Sequence, residues 1–175
     1  GVLSVSTDAV VTGDAVTYDL TSVSARESIL ATLGVGDSPM TGDHIGIAVI
    51  DSGLATSKDL DGGQFDQFFD FTGSRKKSKP YDDYGHGTHV AGLIASSGES
   101  SRQGFTVGGS DGRIHKVDAA VYGGVAPKAN IISLKVLDAN GAGYTSTVVD
   151  AIEFAIDNKD KLGIEEFRKR CEAHA

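Results

Sequence analysis

Cysteine occurs once in the 175 residues, at Cys171, so no internal disulfide can form. A single thiol fits an oxidising or a reducing compartment, because large α/β enzymes do not depend on disulfides. Tryptophan is absent and proline occurs three times. No apolar run reaches the roughly 18 residues of a membrane-spanning helix, which argues against the membrane as a partner. Basic residues are in deficit: 16 Lys and Arg stand against 24 Asp and Glu, a formal net charge of −8. Binding to a phosphate backbone needs a basic surface, so nucleic acid is not an expected partner. The acidity otherwise serves solubility. The opening Gly1-Val2-Leu3 carries neither an initiating Met nor a signal-peptide pattern and reads as an internal start.

What is present fits a soluble globular α/β protein with many turns: 39% hydrophobic residues and 23 glycines. The length suits one domain or slightly more. Residues 1–11 alternate Val, Ser and Thr and read as a strand, and the polar stretch 12–24 reads as a linker. Ala25–Leu33 is a short amphipathic helix, with Ser24 and Glu27 in a capping-box pattern and Gly34 at its end. His44–Ile50 is a near-continuous apolar strand, expected to be buried on both faces as in a parallel sheet, and it stops at Asp51-Ser52-Gly53. Residues 54–79 are irregular, with one short strand over 67–71, and Arg75–Lys79 reads as a solvated loop tip. Residues 96–122 form a Gly- and Ser-rich excursion with a hairpin around 108–116. A second buried strand covers 129–137. After a glycine loop, Thr145 or Ser146 caps a helix with Val148, Val149, Ile152, Ala155 and Ile156 on one face. Alternating strands and helices predict a crossover unit in a mostly parallel sheet. The charged stretch 165–175 differs in composition from everything before it.

The chemistry concentrates in Tyr84-Gly85-His86-Gly87-Thr88-His89-Val90-Ala91-Gly92. Glycines suit a tight helix entry, and Val90, Leu93 and Ile94 fall on one helical face, which places His86 in the first turn of a partly buried helix. A rigid histidine at the rim of a core suits proton transfer. Asp51, at the C-terminal end of its strand, lies where open α/β sheets place their sites. Each alone also reads blandly: His86 as a hydrogen-bonded helix residue, Asp51 as a turn or capping residue. Together they suit a carboxylate that orients an imidazole through Nδ1 and leaves Nε2 as a general base. Such a pair next requires a nucleophile and oxyanion donors.

Val49-Ile50-Asp51-Ser52-Gly53, with His86-Gly87-Thr88-His89-Val90-Ala91-Gly92 further on, resembles the subtilisin family of serine peptidases. Gly124-Val125-Ala126-Pro127-x-Ala129, Leu134-Lys135-Val136-Leu137 and Ile152-Glu153-Phe154-Ala155 extend the resemblance in order, over about residues 25–164. It implies a three-layer αβα fold with a mostly parallel sheet, incomplete on its C-terminal side. It also implies a secreted serine endopeptidase acting on peptide or protein substrates through an Asp/His/Ser triad. On that resemblance Asp51 is the orienting acid, His86 the general base and His89 a structural histidine. Gly141, Ala142 and Gly143 form the edge that binds a substrate backbone. Asp59 corresponds to a calcium-binding aspartate, so the resemblance extends to calcium, although the chemistry requires no cofactor. Residues 1–11 resemble the last strand of an inhibitory propeptide, with cleavage expected within 14–24. The domain plan is thus propeptide remnant and linker over 1–24, peptidase domain over 25–164, and a charged tail over 165–175.

The sequence departs from the family at the nucleophile. No serine stands in the family's Gly-Thr-Ser-x-Ala context, and neither the oxyanion Asn nor the Ser-Leu-Gly cleft strand is present. Ser133 lies in a buried strand, Ser146 reads as a helix cap, and Ser96 and Ser97 end the His86 helix. The expectation is a truncated chain holding two thirds of a triad, inactive alone. Two alternatives belong to other classes: a metal site of His86, His89 and Asp51, and a non-catalytic module that pairs through an exposed sheet edge.

Overall fold

The computed structural model describes residues 8, 10–12, 33–34, 41–60, 65–73, 76–77, 79–100, 105–108, 112–117 and 123–164. In chain order the elements are β1 (Val10–Thr12), β2 (Gly46–Asp51), β3 (Phe65–Asp70), β4 (Lys76–Lys77), α1 (His86–Ala95), β5 (Phe105–Gly108), β6 (Ile114–Val117), β7 (Asn130–Lys135), β8 (Ala142–Tyr144), α2 (Thr145–Asp157) and α3 (Lys159–Leu162). The expected helix over 25–33 lies outside the described residues, apart from a turn at Leu33-Gly34. So does the charged stretch 165–175.

The main sheet has the order β2-β7-β3-β4. Strands β2 and β3 both run parallel to β7, and β4 closes the far side antiparallel to β3. Successive side chains of a strand point to opposite faces, and the core divides accordingly. Val49, Phe68 and Ile131 pack with Ala91 and Ala95 of α1 on one face. Ile132 and Leu134 pack with Ala151 of α2 and Leu162 of α3 on the other. The result is helix, sheet, helix: the expected αβα layering with a mostly parallel sheet. Among the described residues no helix is long and apolar enough to cross a membrane.

Five expectations need correction. On α2, Val148 and Ala155 of the expected face meet the core, but Val149, Ile152 and Ile156 are exposed and Ala151 and Phe154 pack inward instead. Strand β7 is buried along nearly its whole length, but β2 is not. Among the described residues β2 pairs with β7 alone; both its faces meet the core, Ile47 and Val49 on one and Ala48 and Ile50 on the other, but most of its residues are only half-buried. Lys76 and Lys77 are strand rather than loop tip, in keeping with the preference of edge strands for lysine. Helix α1 packs Val90 and Ile94 against the core as expected, but its fully buried residues are Gly87, Ala91 and Ala95, and Leu93 faces outward at 42% exposure. The tight approach of α1 to the sheet selects small residues for the contact face. Helix α2 has Tyr144 as its N-cap with no side-chain cap bond. Ser146 instead donates its backbone N–H (2.8 Å) and its hydroxyl to the Asp8 carboxylate.

Other expectations hold. The hairpin within the 96–122 excursion is β5 paired antiparallel with β6. Part of the N-terminal strand is present as β1, which pairs antiparallel with β8. The Gly124–Ala126 segment caps the C-terminal end of α1: the amides of Gly124, Val125 and Ala126 donate to the carbonyls of Ser96, Leu93 and Ile94. Those carbonyls have no partner within the helix. A side chain on Gly124 would collide with the backbone of Ile94 and Ala95, so only glycine allows this approach.

Candidate active site

Asp51 is the last residue of β2, opposite Lys135 of β7. Its backbone carbonyl accepts from the amides of Val136 (2.8 Å) and Leu137 (3.3 Å), which ties the strand end down. Its carboxylate accepts the Ser52 amide at 2.6 Å. His86 opens α1 across from it. The His86 Nδ1 lies 2.9 Å from Asp51 Oδ1 and 2.8 Å from Oδ2. The histidine side chain is 27% exposed and the carboxylate 14%, so the imidazole reaches solvent more freely than the carboxylate. Nδ1–H donating to the carboxylate fixes the tautomer and leaves Nε2 as the basic nitrogen.

Glycine makes this approach feasible. Gly85, at φ 97°, is the left-handed residue that turns the chain into α1. Gly87 lies directly on the turn after β2: a Cβ there would strike the Gly53 backbone and come within 3.2 Å of the Asp51 Cβ.

The segment 81–83 runs beside the end of β2. Leu54 N donates to Tyr81 O (3.1 Å), and Gly53 forms an antiparallel bridge with Asp82. Asp82 accepts from Ser52 Oγ, from the amides of Tyr84, Gly85 and Thr88, and from Thr88 Oγ1. Burial pushes its carboxyl pKa up, but the Thr88 hydroxyl, the Gly85 and Thr88 amides and the Ser52 hydroxyl outweigh that and hold it below the usual value. Beneath the segment Lys135, 1% exposed, donates to the carbonyls of Ser52 and Leu137 and to Asp83 Oδ1 at 2.7 Å.

Neither Asp82 nor Lys135 stood out as a site residue in the sequence, although signals existed. Helix α1 has no acid in its own first turn, and Asp82 three residues before Gly85 is placed to accept its free N–H groups. A lysine inside an apolar strand implies a buried partner.

The remaining site residues are placed as follows. Gly141, at φ 69°, turns the chain into β8, which contains Ala142 and Gly143. The absent Gly141 side chain is the space the Tyr84 ring occupies, so β8 packs against the entry to α1. Val10, Val11 and Thr12 pair with Tyr144, Gly143 and Ala142. His89 is on α1 with an exposed side chain. Among the described residues no group of three or more His, Cys, Asp or Glu side chains could hold a metal, so the reading of His86, His89 and Asp51 as a metal site fails. Asp59 accepts the Ser100 amide through its carboxylate at 2.7 Å and the Ser97 amide through its carbonyl at 2.8 Å. Ser133 is buried on β7, and Ser96 is the C-cap of α1. The only partner of the His86 ring among the described residues is the Asp51 carboxylate.

A family model described as the subtilase family matches residues 42–163. Serine protease AprX of Bacillus subtilis is 36% identical over 126 residues, covering 70% of this chain and 24% of that protein. Minor extracellular protease Epr of the same organism is 34% identical over 120 residues, covering 69% and 15%. A solved structure, the S41 psychrophilic protease, is 33% identical with a TM-score of 0.53, covering 70% of this chain and 35% of that one. The chain thus spans about a quarter or less of the length of these two curated relatives. With the αβα layering and the motifs around Asp51 and His86 falling inside the matched residues, the chain belongs to the subtilase family of peptidases.

Proposed function

We propose that Asp51 is the orienting acid and His86 the general base of a serine endopeptidase that hydrolyses peptide bonds by an Asp/His/Ser triad. The observation that carries this is the contact of His86 Nδ1 with both Asp51 oxygens at 2.8 and 2.9 Å. In that chemistry the base takes the proton of a serine hydroxyl, and the carboxylate stabilises the imidazolium that forms. No serine of this chain stands in the family's nucleophile context. The 175-residue chain alone is therefore expected to be inactive. Incubation with a fluorophosphonate probe followed by mass spectrometry tests this: the expected result is no covalent adduct, and a labelled serine would overturn it.

On this reading Gly141–Gly143 is the edge that receives a peptide or protein substrate by strand addition. The pairing of β1 with that edge, and the capping of α2 by Asp8, support the reading of residues 1–11 as the end of an inhibitory propeptide, with cleavage within 14–24. The chemistry needs no cofactor. Calcium at Asp59 rests on the resemblance alone; among the described residues the Asp59 carboxylate accepts the Ser100 amide. Secretion is in keeping with a relative named as an extracellular protease.

A further inference from the structure

Five hydrogen bonds converge on the Asp82 carboxylate: one from Ser52, just after the end of β2, two from Tyr84 and Gly85, which lead into α1, and two from Thr88 in its first turn. Oδ1 accepts Ser52 Oγ (2.9 Å), Gly85 N (2.8 Å) and Tyr84 N (3.3 Å). Oδ2 accepts Thr88 N (2.8 Å) and Thr88 Oγ1 (2.6 Å). Ser52 follows Asp51 directly and is fully buried. Gly85 and Thr88 flank His86 at the first turn of α1. One carboxylate thus touches the residue after the acid and the turn that holds the base.

The directions of these bonds are fixed. The Ser52 hydroxyl has one proton and gives it to Asp82, so it accepts the Gly87 amide (2.9 Å) with a lone pair. The Thr88 hydroxyl likewise gives its proton to Asp82 and accepts the Ala55 amide (2.9 Å). Every group facing Asp82 is a donor, so only an ionised carboxylate satisfies all of them. An amide in its place would turn N–H groups toward other donors.

We propose that Asp82 is the positioning residue of the Asp51–His86 pair: its carboxylate, bonded through Ser52 to the end of β2 and through Gly85 and Thr88 to the start of α1, sets the distance and angle between acid and base. This rests on the reading of Asp51 and His86 as acid and base. Asp82 does not touch the imidazole and takes no part in proton transfer. It adds to the imidazole–carboxylate contact and to the Gly87–Ser52 and Ala55–Thr88 hydrogen bonds that join the two segments, and it fixes the hydroxyls of Ser52 and Thr88 as acceptors for those bonds, which is the preorganisation a proton-transfer site needs.

The test is proton exchange at the His86 ring in the full 175-residue chain, followed by NMR with labelled histidine. The amides of Ile132 and Leu134 in β7 report global opening in the same samples. In Asp82→Asn the Nδ1 proton of His86 should exchange about tenfold faster than in the wild type, the effect of losing charge-assisted bonds, with a smaller change at the two β7 amides. Thr88→Val keeps the shape and removes one arm, and should speed exchange by about threefold. Equal acceleration at His86 and at β7 would make Asp82 merely structural and overturn the proposal, as would unchanged exchange at His86. If Asp82→Asn does not fold, Thr88→Val decides by the same two criteria. Asp51→Asn separates the underlying reading. Wild-type exchange in that variant would sink the acid–base assignment itself. Rapid exchange in Asp51→Asn with no acceleration in Asp82→Asn would sink the positioning role alone.

Discussion

Ser133 and Lys135 lie two apart on β7 and show opposite ways of burying a polar group. The Ser133 hydroxyl is buried with no hydrogen-bond partner among the described residues. Its removal takes away a desolvated group without breaking a bond, so Ser133→Ala should raise stability by about 1 kcal/mol or leave it unchanged. A urea midpoint decides, and a clear loss would reveal a partner. Lys135 has three partners, two of them carbonyls with few alternatives. Lys135→Met would leave those acceptors unpaired and should cost ~2–3 kcal/mol by the same measurement. The ion pair adds little to that figure, because Asp83 is 43% exposed and screened by water. The lysine was legible as an anomaly in an apolar strand. Its partners were not, because they come from turns whose course depends on the packed sheet.

Among the elements, α1 shows what pattern reading can and cannot supply. Its extent from His86 to Ala95 was legible from apolar spacing and the glycine entry. Its contact face was legible only in part: Val90 and Ile94 do pack against the core, but the fully buried positions are the small Gly87, Ala91 and Ala95, which a rule weighted to large side chains passes over. The same rule missed the capping of α2, where the acceptor is Asp8 from the other end of the chain. The two interior glycines of α1 make the distinction testable. A methyl group added at Gly92 would meet nothing within 4 Å, so Gly92→Ala should stabilise the helix by about 0.5–1 kcal/mol. Gly87 meets the Gly53 backbone, which cannot yield without moving the turn after Asp51. Gly87→Ala should therefore destabilise by ~2 kcal/mol or more through overpacking. Thermal unfolding of both variants gives the sign of each effect, and a stabilising Gly87→Ala would show that α1 sits farther from the sheet.

For the whole molecule, the balance of charge makes acid the revealing condition. The chain carries −8 at neutral pH and has a sequence pI near 5.0. Self-repulsion therefore eases between about pH 7 and 5 and returns with the opposite sign below that. Two partly buried carboxylates add a specific contribution. Burial raises the Asp70 carboxyl, but hydrogen bonds from Thr72 and Tyr81 and the Lys135 charge outweigh it, and Asp82 is lowered by its own donors. A carboxyl depressed in the folded state contributes stability above its unfolded value of 3.8, and that contribution is lost as pH falls through the folded value. Stability should thus hold or rise slightly from about pH 7 to 5 and fall steeply below about 4. Asp82→Asn lacks one of the titrating groups, so it should be less stable than the wild type at about pH 6. The gap should narrow as pH falls below the unfolded value of 3.8 toward the lower folded one, because the unfolded chain then binds a proton more readily than the folded one and the wild type loses its advantage. Unfolding midpoints of both proteins across that range measure the gap directly. A constant gap would mean that the Asp82 carboxylate is not tied more tightly in the folded chain than in the unfolded one, and the hydrogen bonds between β2 and α1 would then have no claim to hold the two elements together.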